Sequence, residues 1–144
     1  MTSEDFQAIE ETDRYILPLA NRKVSRIYID FAFGMFFWEG HPKLEIRIEG
    51  TIRIMRNSMP EVIVDPSKPE SLGPALFLFD RTVSWAHAFK DGTLKIEFAD
   101  NNTLQVDPGI KYEPWELASE GGLKGMKLVS LPGGSIAFWQ GKQP

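Results

Sequence analysis

The chemistry open to this chain is bounded by two histidines, His41 and His87, and by the absence of cysteine. Imidazole titrates near neutral pH, so these positions are the natural candidates for a general base or a metal ligand. His41 sits in EGHP, a turn-like setting that leaves it exposed. His87 falls between Trp85 and Phe89 in DRTVSWAHAF, where Val83, Trp85, His87 and Phe89 share one parity. The expectation there is a buried neutral imidazole with one backbone hydrogen bond. Neither histidine has a second ligand at H-x-E or H-E-x-x-H spacing, and no thiolate is available, so no zinc site is expected. The carboxylates Glu45 and Glu49, Glu113 and Glu116, and Asp91 and Glu97 each offer an acid and a base, but spacing alone brings no pair into a shared cleft. GGLKG at 121–125 and PGG at 132–134 lack the strand–loop–helix setting and G-K-[ST] ending of a phosphate loop, and read as tight turns. The sequence therefore assigns no catalytic residue, no metal and no cofactor.

Alternating strands must position these side chains. In KLEIRIEGTIRI, Leu44, Ile46, Ile48, Ile52 and Ile54 share one parity, and Glu45, Arg47, Glu49, Thr51 and Arg53 the other. Side chains alternate faces along a strand, so one face is apolar and the other suits solvent. Gly50 falls in phase, marking either a bulge in one long strand or a tight bend between two. From Lys23, the residues Ile27, Ile29, Phe31 and Phe33 alternate with Arg26, Tyr28, Asp30 and Ala32. LKIEF, TLQVDP, MKLVSL and SIAFW continue the pattern, with turns at KDGT, ADNN and PGG. Residues 57–74 hold four prolines around a short strand at Val62–Val64, with a helical turn expected near 69–78. Residues 3–12 read as a short helix capped by Ser3, with Phe6 and Ile9 on one side. The spacing predicts a mainly β protein, an antiparallel sandwich or partly open barrel of about 8–9 short strands. It forms a single domain over 1–144, with an N-terminal segment at 1–17, a β core at 18–139 and a tail at 140–144. NRKVS and LEIRI at 21–48 are echoed by DRTVS and LKIEF at 80–98, which raises a duplicated hairpin.

Composition narrows the partners. The net charge is −4, against a nucleic-acid binder and open to a basic partner. The acidic opening MTSEDFQAIEETDRY lacks the apolar run of a secretory signal, and no apolar run is long enough for a bilayer. The expectation is a cytoplasmic protein.

Two stretches stand out. FAFGMFFW at 31–38 gathers five aromatics in eight positions, Phe31, Phe33, Phe36, Phe37 and Trp38. Either a second sheet covers them, or some anchor a partner. YEPWEL at 112–117 reads first as a clasp over the end of the core. In that reading the Trp115 indole bonds to a nearby carbonyl, and Glu113 and Glu116 accept hydrogen bonds. As a recognition site, Tyr112, Trp115 and Glu116 join the aromatics of 31–38.

LPLANRKV, DGTLKIEFADNNTLQVDP, YEPWEL and PGGSIAFW together resemble a family of small, mainly actinobacterial proteins of unknown function. These carry a YE-x-WEL segment and a PGG-x-x-A-x-W ending. The resemblance spans about residues 17–139, with Pro114 standing where a small residue is the rule. It implies no activity, cofactor or site residue. The function expected is a non-enzymatic binding protein, of the immunity or antitoxin type that occludes a partner toxin. Acidic residues would steer a basic toxin, and the aromatics would anchor it. Alternatives are an apolar ligand held in a barrel mouth by Phe36, Trp38, Trp85 and His87, an enzyme centred on His87, and a homodimer formed through an exposed strand edge.

Overall fold

The computed structural model describes residues 8–40, 42–119 and 125–140. Over these the chain forms two antiparallel sheets. The seven-stranded sheet runs in the order β1 (Ile9–Glu10), β2 (Arg14–Ile16), β8 (Val83–Phe89), β9 (Leu94–Phe98), β10 (Thr103–Val106), β6 (Ile52–Met55), β7 (Val62–Val64). The six-stranded sheet runs β13 (Ser135–Gln140), β12 (Met126–Leu131), β11 (Trp115–Ser119), β5 (Leu44–Ile48), β4 (Phe33–Phe37), β3 (Arg26–Ile29). No helix among the described residues is long and apolar enough to cross a membrane.

The alternation in the sequence becomes burial. Leu44, Ile46 and Ile48 of β5, Ile52 and Ile54 of β6, and Leu94, Ile96 and Phe98 of β9 all point into one core with Phe33, Met35 and Phe37. Burying a side chain of this size contributes about 1.5–3 kcal/mol. Both sheets feed the same cluster, so the architecture is a sandwich and no barrel closes.

Gly50 is where the chain changes layers. β5 belongs to one sheet and β6 to the other, and the bend between them is held by Pro114, whose carbonyl accepts both the Glu49 and Gly50 N–H at 2.9 Å. A Cβ on Gly50 would stand 2.7 Å from the Pro114 Cβ, so only glycine admits this contact. Next along the chain, Trp115 is 1% exposed and its indole donates to the Gly92 carbonyl at 2.9 Å. Ser130 Oγ donates to the same carbonyl at 2.8 Å. Gly92 lies in the β8–β9 turn of the opposite sheet, so YEPWEL clasps the two layers together.

Several expectations need correction. Ile9–Glu10 is a strand, not part of a helix, while Ser3 and Phe6 lie outside the described residues. The strand expected to run from 26 through 33 breaks at Asp30–Ala32 into a hairpin turn, where Phe31 takes φ +47° and is 69% exposed. A bulge between Val83 and Trp85 shifts the phase of β8. Val83 therefore joins Ala86 and Ala88 inside, and Trp85, His87 and Phe89 face outward, half-buried. Thirteen strands lie among the described residues where about 8–9 were expected, because short edge pairs such as β1–β2 carry too few residues to show a period. Val62–Val64 is a strand and Pro69–Leu78 a 3-10 helix, as read from the sequence. The echoed segments do not form matching hairpins, since β4 separates β3 from β5. Instead NRKVS and DRTVS bond to each other: Val24 N–H donates to Arg81 C=O, Val83 N–H to Arg22 C=O, and Asn21 and Asp80 take φ +67° and +68°.

Candidate functional site

β4 carries a different character on each face. Phe33, Met35 and Phe37 are 0% exposed in the core. Gly34, Phe36 and, just past the strand, Trp38 face outward. Register sets Arg26 beside Phe36 and Tyr28 beside Gly34 from β3, and Glu45 and Arg47 beside the same two residues from β5. The face continues through Glu116 and Ala118 on β11 and Lys127 on β12 to Trp139 on β13.

Trp38 is 39% exposed and lies near two cations, one on β3 and one just before β5. The Arg26 guanidinium lies 5.0 Å from its ring centre and Lys43 Nζ 5.3 Å. Phe36 meets the indole edge-on at 4.5 Å. Backbone clamps fix the position of this ring. Ser25 Oγ donates to Phe36 C=O and accepts the Trp38 N–H, each at 3.0 Å. Arg22 donates to the carbonyls of Phe37 at 2.6 Å and Glu39 at 3.0 Å, its Nε is buried without a partner, and burial lowers its pKa. A groove of about 190 Å³ opens beside Trp38, lined by Lys43, Glu45, Ala118 and Ser119.

Behind it lies a polar cluster. The Tyr28 ring lies across Gly34, where a Cβ would fall within the ring. Its hydroxyl donates to Glu45 at 2.7 Å and accepts from Arg47 at 3.3 Å. Burial, with the Glu45 carboxylate assisting and Arg47 opposing, pushes the phenol up to about 12. Arg47 also binds Glu49 at 3.1 Å and lies 3.7 Å from Asp30, and its bonds to Tyr28 and Glu49 hold it firmly charged. A second groove, about 350 Å³, is lined by Arg47, Glu49, Lys111, Tyr112, Glu116 and Pro132.

Of the residues singled out in the sequence, the structure brings Phe36, Trp38 and Glu116 onto this face, with Tyr112, 51% exposed, flanking its groove. Phe31 sits at the tip of the β3–β4 hairpin. Phe33, Phe37 and Trp115 serve the core. Sequence reasoning passed over Arg26, Tyr28, Lys43 and Arg47 as site residues. Their outward parity was readable, but their neighbours depend on strand pairing.

His87 lies on the other side of the sandwich. It stacks on Trp85 at 4.6 Å and receives Arg14 Nη1 at 3.3 Å, in place of the backbone bond expected. Burial, then the Arg14 charge, lowers its pKa, which favours the neutral imidazole. Phe36 and Trp38 on one outer face and Trp85 and His87 on the other cannot line a common mouth. His41 lies outside the described residues. Among the described residues no group of three or more His, Asp or Glu is placed to hold a metal ion.

Fold and face define an antiparallel β-sandwich whose six-stranded sheet presents aromatics set among charges. The chain belongs to a family of unknown function, DUF6188, whose model matches residues 15–140. Comparison with curated proteins and with solved structures gave no match.

Proposed function

We propose that the protein is a non-enzymatic binding protein of the immunity type, which occludes a partner protein with the outer face of its six-stranded sheet. The observation that carries this reading is Trp38, an indole left 39% exposed yet pinned by backbone clamps and flanked by Arg26 and Lys43. Neither cation joins an ion pair among the described residues, whereas Arg47 and Lys127 on the same face do. A rigid aromatic beside arginine is the composition of a binding hot spot. Cations without carboxylates of their own take acidic side chains from a partner, so the contact at Trp38 is with an acidic or aromatic patch. The net charge of −4 acts at longer range and steers a partner that is basic as a whole.

Phe31 supports the same face. A bulky residue at positive φ is strained by roughly 1 kcal/mol, and it caps the hairpin next to Asp30 and Arg47. Partner capture followed by calorimetric titration tests the reading. Arg26→Ala and Trp38→Ala are each expected to weaken binding at least about tenfold, with the melting temperature unchanged. Phe31→Gly is expected to weaken binding while raising stability. Full affinity in both Arg26→Ala and Trp38→Ala, or loss of binding through Trp85→Ala instead, would overturn the assignment of the face. Failure to recover any protein partner would overturn the function.

A further inference from the structure

Among the described residues the two sheets leave four edges unpaired, at β1, β7, β3 and β13. Unpaired N–H and C=O groups along an edge template a further strand, and edges are ordinarily blunted by shortness, charge, proline or cover. β1 has two residues. β7 is three residues long, sits between Pro60 and Pro66, and has Glu61 and Asp65 at its ends. β3 carries Arg26 and is bordered by Leu76 and Phe79 of the helical segment. Among the described residues β13 shows none of these devices: SIAFWQ is six residues long, uncharged and free of proline, and its Trp139 is 54% exposed.

We infer that β13 is the edge through which two copies of this chain pair, antiparallel about a two-fold axis, joining their six-stranded sheets into one. A two-fold interface must be complementary to itself. Ser135, Ala137 and Trp139 face outward opposite Leu131, Val129 and Lys127 of β12, while Ile136 and Phe138 face the core side and are only half-buried. Setting Ala137 opposite its own copy keeps every side chain on its own face. Ile136 then faces Phe138 of the second copy, and Ser135 faces its Trp139. Each half-buried apolar residue gains an apolar cross-strand neighbour, and the small residues at the axis leave room for both indoles. The strand holds no charge, so no like charges meet across the axis. Phe138 is already steadied from behind by Tyr15, stacked at 5.2 Å.

Sedimentation over a concentration series tests this without any other protein. Wild type is expected to show a reversible monomer–dimer equilibrium. Ala137→Lys, which places two ammonium groups on the axis but lies on the outward face of the monomer, is expected to be monomeric with an unchanged melt. The chain has no cysteine, so Ala137→Cys reports register: a residue facing itself across an antiparallel pair oxidises readily to a disulfide dimer, whereas Ser135→Cys does not. A chain monomeric up to about 1 mM, a dimer that survives Ala137→Lys, or equal cross-linking at both cysteines would overturn the proposal. So would an edge that accepts only an extended segment of a different protein. Trp38→Ala is expected to dimerise as wild type does, which separates this result from that of the partner-binding face.

Discussion

Because Gly34 has no side chain, the Tyr28 ring lies flat across the sheet and its hydroxyl reaches Glu45 and Arg47. Burial and the carboxylate then hold the phenol at about 12, against an ordinary value near 10. Folded Tyr28 keeps its proton where the unfolded chain has lost it. Its contribution to stability is therefore complete below about 10 and falls as pH climbs toward 12. Gly34→Ala removes the ring's seat while leaving the backbone undisturbed, because the ring can swing away. The expected outcome is a phenol pKa returned toward 10, with stability at pH 7 changed by less than about 1 kcal/mol. An ultraviolet titration of wild type against Gly34→Ala and Tyr28→Phe checks it. A late phenolate step that persists in Gly34→Ala would mean that Tyr28 does not depend on that seat. The sequence shows Tyr28 and Gly34 only as two residues six apart. What makes them neighbours is the turn at Asp30–Ala32, and Phe31 is a poor advertisement for a turn that needs positive φ.

At the scale of elements, the chain's passage between layers turns on Gly50. Gly50→Ala drives a methyl against the Pro114 Cβ and its backbone, which are tied to the same bend by two hydrogen bonds. Overpacking a fixed corner costs about 1–3 kcal/mol, so the unfolding free energy is expected to fall by that amount, seen as a lower denaturant midpoint with an unchanged slope. Wild-type stability in that variant would mean that the corner yields. The inward isoleucines of β5 and β6 were legible from their alternation, because period-two burial is written locally. The bulge in β8 was not. It moves Val83 to one face and Trp85 and His87 to the other, and an inserted residue leaves no mark on composition. The candidate face was half legible for the same reason. Phe36 and Trp38 announce themselves as aromatics, while Arg26 and Lys43 matter only because β3 and β5 flank β4. Trp115 was placed correctly as a clasp, since a tryptophan beside a proline and a strand break has few other ways to satisfy both its bulk and its N–H.

Taken whole, the molecule has one core fed by both layers, and the layers are tied to each other by the Gly50 bend, by the Trp115 indole and Ser130 hydroxyl on Gly92, and by the bonding of NRKVS to DRTVS. Neither sheet can lose its partner and keep its buried face dry. Unfolding is expected to be a single cooperative transition, with far-ultraviolet dichroism and tryptophan fluorescence giving coincident midpoints. Two separated midpoints would show that the layers melt independently. The alternation along β4 carries a further consequence. Its alternate letters spell two messages, one addressed to the interior and one to the outside world, and they do not share a character. Descendants of this chain can therefore rewrite the second message, at Arg26, Phe36, Trp38 or Lys43, with the architecture inherited intact.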